Sequence, residues 1–211
     1  MGWTFQPSRG RDRVDIIRSL LDYESDAYDQ KIIDHAVVGT TVYLLVQRTP
    51  KGAWGPSTFY VNDADGSFRW IAVFLTSKTR DAYDFGYKDL VEAMGPVEAR
   101  CPRRIITAAS RLRHPDPAIE GNYAARWRQK CLDGCTAQTR RKAELVPGAT
   151  IRLSRPIDFT DGYKGDCFVV EIVTWRGRNR TCFRAPNGGL YRIRNLDSIG
   201  YCVEAAARGA E

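Results

Sequence analysis

Histidine is nearly missing from this 211-residue chain, which holds only His35 and His114. Short catalytic signatures are missing too. There is no G-x-S-x-G, no phosphate-cradling G-x-x-x-x-G-K, no H-E-x-x-H and no Rossmann glycine fingerprint. That weighs against serine hydrolases, P-loop enzymes, zincin proteases and dinucleotide enzymes. No apolar run reaches transmembrane length. The opening stretch, MGWTFQPSRGRDRVD, has no apolar segment of signal-peptide type. The expected location is cytoplasmic, away from membranes. In that reducing setting the six cysteines are expected as free, mostly buried thiols, not as three disulfides. No cofactor is expected.

What is present supports a folded core. Hydrophobic residues make up 43% of the chain and aromatic residues 11%, enough to exclude global disorder. The length allows one large domain or two small ones. The net charge of +7 is uneven. Residues 1–99 carry 11 Lys or Arg against 14 Asp or Glu, whereas residues 100–211 carry 21 against 11. A basic half of this kind attracts a polyanion or pairs with an acidic protein.

Periodicity predicts a helix over 11–21, with Asp12 as its cap and Val14, Ile17 and Leu21 at helical spacing. Residues 31–48 read as strands around a turn at Gly39. Residues 58–63 and 67–76 read as a hairpin across DADG. A short helix is expected toward the end of 81–94 and another over 103–112. The clearest helix spans 122–144 and is ended by Pro147 and Gly148. Beyond it come five short strand patterns, TIRLSRPIDF, DCFVVEIVTW, RTCFRA, LYRIRN and YCVEA. Tight turns join them. Their closure would remove exposed edges, which predicts a small barrel. The expected fold class is α+β: N-terminal helices with a small antiparallel sheet, a long connecting helix, and a C-terminal SH3-like small β-barrel. The expected domains are residues 1–146 and 147–211.

Within WRQKCLDGC, Cys131 and Cys135 stand four apart, in register with Tyr123 and Trp127. On a helix this spacing makes one packing face, which is the favoured reading. A zinc site would need two more ligands, and Cys101 with His114 would complete a chemically sensible set. The i,i+4 spacing on a helix is unlike a metal knuckle, so no metal is favoured. Cys167, Cys182 and Cys202 fall in the strand patterns and are expected in the core.

The basic face is the main functional candidate. TWRGRNRT sets Arg176, Arg178 and Arg180 around a glycine turn beside Trp175. Arg152, Arg155, Lys164, Arg184, Arg192 and Arg194 add charge from neighbouring strands. Arginines can reach phosphates while an aromatic ring stacks on a base. The expected partner is DNA or RNA, with a host protein as the alternative. Asp81, Asp84, Asp89, Glu92 and Glu98 form an acidic stretch in which Asp89 and Glu92 would share a helical face. That pair carries a third reading, a small metal-dependent hydrolase or nuclease. A solvated helix face is the favoured account of it, and no catalytic residue is assigned.

Three stretches, MGWTF, FGYKDLVEAMGP and CFRAPNGGLYRIRN, together give a resemblance over most of the chain. The chain resembles an uncharacterised family of bacteriophage and mobile-element accessory proteins. The resemblance implies a soluble accessory protein acting on host machinery or on DNA. It implies no activity, and no role for Cys131 or Cys135. Binding of nucleic acid or of a nucleic-acid-associated host complex through the basic half is therefore the expected function. An inhibitor or adaptor of a host system is the alternative, and an enzyme is not favoured.

Overall fold

A computed structural model describes residues 3–21, 26–52, 54–89, 99–113 and 123–204. The chain divides into two compact units, Met1–Cys135 and Thr136–Glu211. The division falls inside a helix, upstream of the boundary at 146/147 suggested by the change in sequence pattern.

The first unit contains β1 (Trp3–Pro7), α1 (Arg13–Leu21), β2 (Tyr28–Val38), β3 (Thr41–Pro50), β4 (Phe68–Thr79), β5 (Ala82–Asp89), α2 (Arg103–Ala108) and the start of α3 (Tyr123–Glu144). Its five strands form an antiparallel sheet in the order β1-β5-β4-β3-β2. The middle strands carry apolar residues on both faces, TVYLLV in β3 and WIAVF in β4, so both faces must be covered. On one face Val42, Leu44, Val46, Trp70 and Phe74 pack with Ile16 and Ile17 of α1. On the other, Tyr43, Leu45, Ile71 and Val73 pack with Ile105 and Ile106 of α2 and Ala124, Trp127 and Cys131 of α3. Asp12 caps α1 as its sequence position suggests, its Oδ1 accepting the N–H of Val14 at 2.7 Å and of Asp15 at 2.9 Å. Gly39 turns β2 into β3 at φ +61°.

Two local expectations fail here. Residues 63–66 do turn, with the Gly66 N–H donating to the Asp63 carbonyl. The segment before that turn does not pair with β4, however. Tyr60 bridges Leu112, while β4 takes β3 and β5 as neighbours. Longer apolar ladders outcompete the local hairpin. The stretch AYDFGYKD forms strand β5, where an irregular segment is expected from the sequence. Asp89 closes that strand, and the short helix expected after it lies outside the described residues. Glu92 and Glu98 lie outside the described residues.

The second unit contains the end of α3, then β6 (Thr150–Asp158), β7 (Lys164–Trp175), β8 (Arg178–Arg184), β9 (Leu190–Tyr191), α4 (Leu196–Ile199) and β10 (Tyr201–Glu204). The strands form one antiparallel sheet in the order β10-β6-β7-β8-β9. It is open, and the SH3-like barrel is not formed. Closure would require β9 to pair with β10, and no such pairing occurs among the described residues. The physical cause lies in LYRIRN. Only Leu190 and Tyr191 join the ladder, after which the chain passes Asn195 at φ +56° and enters α4. Instead of sheet closing on sheet, Leu145, Phe159, Tyr163, Leu196 and Ile199 cover Ile151, Phe168, Val170 and Phe183. Among the described residues, no helix is long and apolar enough to cross a membrane.

Candidate nucleic-acid interface

Antiparallel register decides which side chains share a face, because directly opposed residues point the same way. The pairs Ile151–Phe168 and Val170–Phe183 define the covered face of the second sheet. The pairs Arg152–Cys167, Glu171–Cys182, Val173–Arg180 and Trp175–Arg178 therefore lie on the other face. Cys202, opposite Arg152, joins them. The expectation that Cys167, Cys182 and Cys202 pack in the core fails for Cys167 and Cys202 for this reason. Cys202 is exposed and Cys167 half-buried, and only Cys182 is buried, on the outer side of the sheet.

The hairpin between β7 and β8 has a two-residue loop, Arg176 at φ +49° and Gly177 at φ +71°. Positive φ at both positions is the turn that matches strand twist. Glycine takes that conformation freely, whereas arginine pays about 1–2 kcal/mol for it. Trp175 is 57% exposed and stands opposite Arg178, with Val173 and Arg180 on the next rung of the same face. Arg176, Arg178 and Arg180 make no ion pair or side-chain hydrogen bond among the described residues.

The other basic candidates separate into two groups. Arg184 donates two N–H groups to the Glu171 carboxylate, one of them to Oε2 at 2.8 Å. That pairing holds the Glu171 carboxyl below its usual range. Arg152 pairs with Glu204 at 2.8 Å and Asp166 at 3.6 Å, and Lys164 with Asp158 at 3.3 Å. Their charge is answered within the sheet. Arg155, Arg192 and Arg194 are exposed and have no such partner among the described residues. Arg155 lies where the β6–β7 register shifts. Arg192 and Arg194 follow β9, with Tyr191 and Ile193 packed into the core between and before them. The free basic surface is thus smaller than the sequence suggests and centres on the hairpin tip.

The charge split also changes meaning. The first unit carries 19 Lys or Arg against 17 Asp or Glu, and the second 13 against 8. Much of the basic excess after residue 100 belongs to the first unit. There Arg104 bonds Asp34 and the His35 carbonyl. Arg128 donates to the carbonyls of Ile106, Ala109 and Ser110 at 2.9–3.4 Å. These are the orphan acceptors at the end of α2, so Arg128 serves as a capping residue, a role that sequence spacing does not reveal.

The cysteines of α3 have a structural task. Cys135 Sγ contacts the Cys101 carbonyl at 3.6 Å, and the Cys131 sulfur accepts the Cys101 backbone N–H. Together they hold the chain just before α2. The helix runs unbroken through Gly134. Burial pushes the Cys131 thiol up to about 11, and that of Cys101 higher still, so both are protonated at neutral pH. Among the described residues, no group of three or more His, Cys, Asp or Glu side chains is arranged to hold a metal ion. Of the set Cys101, His114, Cys131 and Cys135, only His114 lies outside the described residues.

Fold and surface together define a class: an α+β protein with a sheet buried on both faces and a second, open sheet that ends in a cationic hairpin. Residues 119–196 match a family described as a domain of unknown function (DUF6927). The matched segment holds α3, β6 to β9 and the whole hairpin. No curated protein and no solved structure matches the chain. The matched description carries no bacteriophage, mobile-element or nucleic-acid term, so those terms gain no support from it.

Proposed function

We propose that the protein binds single-stranded nucleic acid through the β7–β8 hairpin. The observation that carries this reading is the grouping of one exposed tryptophan with three arginines that no carboxylate neutralises among the described residues. Trp175 offers a ring on which an unpaired base stacks, and Arg176, Arg178 and Arg180 reach the flanking phosphates. A duplex would hide its base faces from such a ring, which favours single strands. A cytoplasmic location accompanies this reading, and thiols in the free state suit a reducing compartment.

The test is fluorescence anisotropy with a labelled oligonucleotide over a salt series. Changing Arg176, Arg178 and Arg180 to Gln together should weaken binding and reduce the slope of log K against log salt by about 2. Trp175→Ala should weaken binding while leaving that slope in place. Arg152→Gln and Arg184→Gln should have little effect, because their charges are already paired. No binding by the native protein at ~50 mM salt, or unchanged binding by the triple variant, overturns the proposal.

A second reading rests on Val169 and Leu190, which are 38% and 42% exposed on the same outer face. There they suit a protein partner. A partner retained after nuclease treatment and lost with Val169→Asp would favour docking over nucleic-acid binding.

A further inference from the structure

The two edge strands of the first sheet meet solvent differently. β2 carries Asp29, Lys31 and Asp34, with a bulge between Ile32 and Asp34. Arg104 of α2 bonds the Asp34 carboxylate and the His35 carbonyl of that strand. Charges, bulges and covering elements are the usual guards of a sheet edge. β1, WTFQP, has no charged residue and no bulge. β5 is its one strand neighbour among the described residues. The outward N–H and C=O groups of Trp3 to Gln6 have no hydrogen-bond partner among the described residues. Trp3, Thr4 and Phe5 are all exposed.

The sheet face beside this edge selects the partner. Register aligns Trp3, Gly86 and Leu75 on one rung and Phe5, Asp84 and Ser77 on the next, all on one face. The Trp3 indole lies against Gly86, where a Cβ would come within 3.4 Å of the ring. Glycine there lets the ring lie across β5. Trp3 is 59% and Phe5 63% exposed. Asp84 stands directly opposite Phe5 and is the one charged residue of the two rungs. Its side chain makes no ion pair or hydrogen bond among the described residues. Lys88, the next cation along β5 on this face, is roughly 14 Å away along the strand. Two exposed rings beside an unanswered carboxylate attract a cation.

We propose that β1 takes up an extended cationic segment of another protein as an added strand, with a lysine or arginine side chain laid over Trp3 and Phe5 toward Asp84. Main-chain bonds to the bare edge supply affinity, and the ring-and-carboxylate site supplies selectivity. A nucleic acid is disfavoured, because Asp84 would face its phosphates. A second copy of this chain is disfavoured too, because β1 has no cation to offer Asp84. The site lies in the first unit, uses none of the hairpin arginines and stands apart from the nucleic-acid reading.

The experiment titrates the full chain with the end-capped peptide Thr-Val-Lys-Val-Thr and follows amide shifts by NMR. Peptides with Glu or Met in place of the central Lys supply the opposite charge and no charge. Saturable binding of the lysine peptide is expected, with shifts at Trp3 to Gln6 and at Asp84 and slower amide exchange in β1. The glutamate peptide should bind at least about tenfold more weakly, and the methionine peptide at least about fivefold. Asp84→Asn, an isosteric change, should weaken the lysine peptide at least about fivefold and level the three affinities. Phe5→Ala, at an exposed side chain, should weaken it as well. Equal affinity for the lysine and glutamate peptides, shifts confined to other surfaces, absence of binding, or an Asp84→Asn affinity within about twofold of native would each overturn the assignment. A native dimer in light scattering that Phe5→Lys dissolves would give the edge to a second copy and overturn it too.

Discussion

Arg176 occupies a left-handed position in the hairpin loop at a cost in stability. A strained residue at an exposed tip fits a functional role for its side chain. Arg176→Asn puts the preferred Asn-Gly pair in this loop. It is expected to stabilise the fold by roughly 0.5–1 kcal/mol while weakening oligonucleotide binding, as read by thermal melts beside anisotropy. A loss of stability would show that the arginine side chain supports the fold.

Cys131 makes the opposite kind of prediction. Burial raises its thiol to about 11 in the folded protein, above the unfolded thiol near 8.5. The unfolded chain therefore loses that proton first as pH rises. Stability from this group is full below about pH 8.5 and declines as pH climbs toward 11. Denaturant titrations between pH 7 and 10 should show a decline that is shallower in Cys131→Ala, whose baseline stability is lower. Identical slopes in the two proteins would remove the buried thiol as the cause.

At the scale of elements, the two sheets differ in how they are held. β3 and β4 have strand neighbours on each side and packed helices on both faces. β9 has two residues and β10 four, and both are edges. Amide exchange should accordingly be slowest at Val42–Val46 and Ile71–Phe74 and faster across Leu190–Tyr191 and Tyr201–Glu204. Hydrogen-exchange mass spectrometry reads this directly. Equal protection at β9 and β3 would mean that the second sheet's edges are covered in solution.

At the scale of the whole molecule, long periodic elements were legible and pairings were not. The helix of α3 follows from Tyr123, Trp127, Cys131 and Cys135 at four-residue spacing, and α1 from its cap and apolar stripe. β6, β7 and β8 follow from their β-branched runs and turns. Sheet closure was misread because a barrel and an open sheet covered by loops share the same local pattern. The chain's basic half likewise dissolves once the fold divides it. Arg128 and Arg104 serve the first unit's own carbonyls and carboxylates, and Arg152 and Arg184 are paired within the second sheet.

The sequence by itself determined α1, α3 and the strands β2 to β4 and β6 to β8, since backbone preference and apolar periodicity act over a few residues. It also determined the hairpin loop, through Gly177 and its basic flanks. Only the tertiary structure decided that β9 stops after Tyr191, and that three strand cysteines face outward. It likewise decided that Cys101 meets α3, and that Trp3 and Phe5 stand exposed beside Asp84. Those outcomes depend on register and on contacts between residues distant in the chain, where many alternatives share one local pattern and packing selects among them.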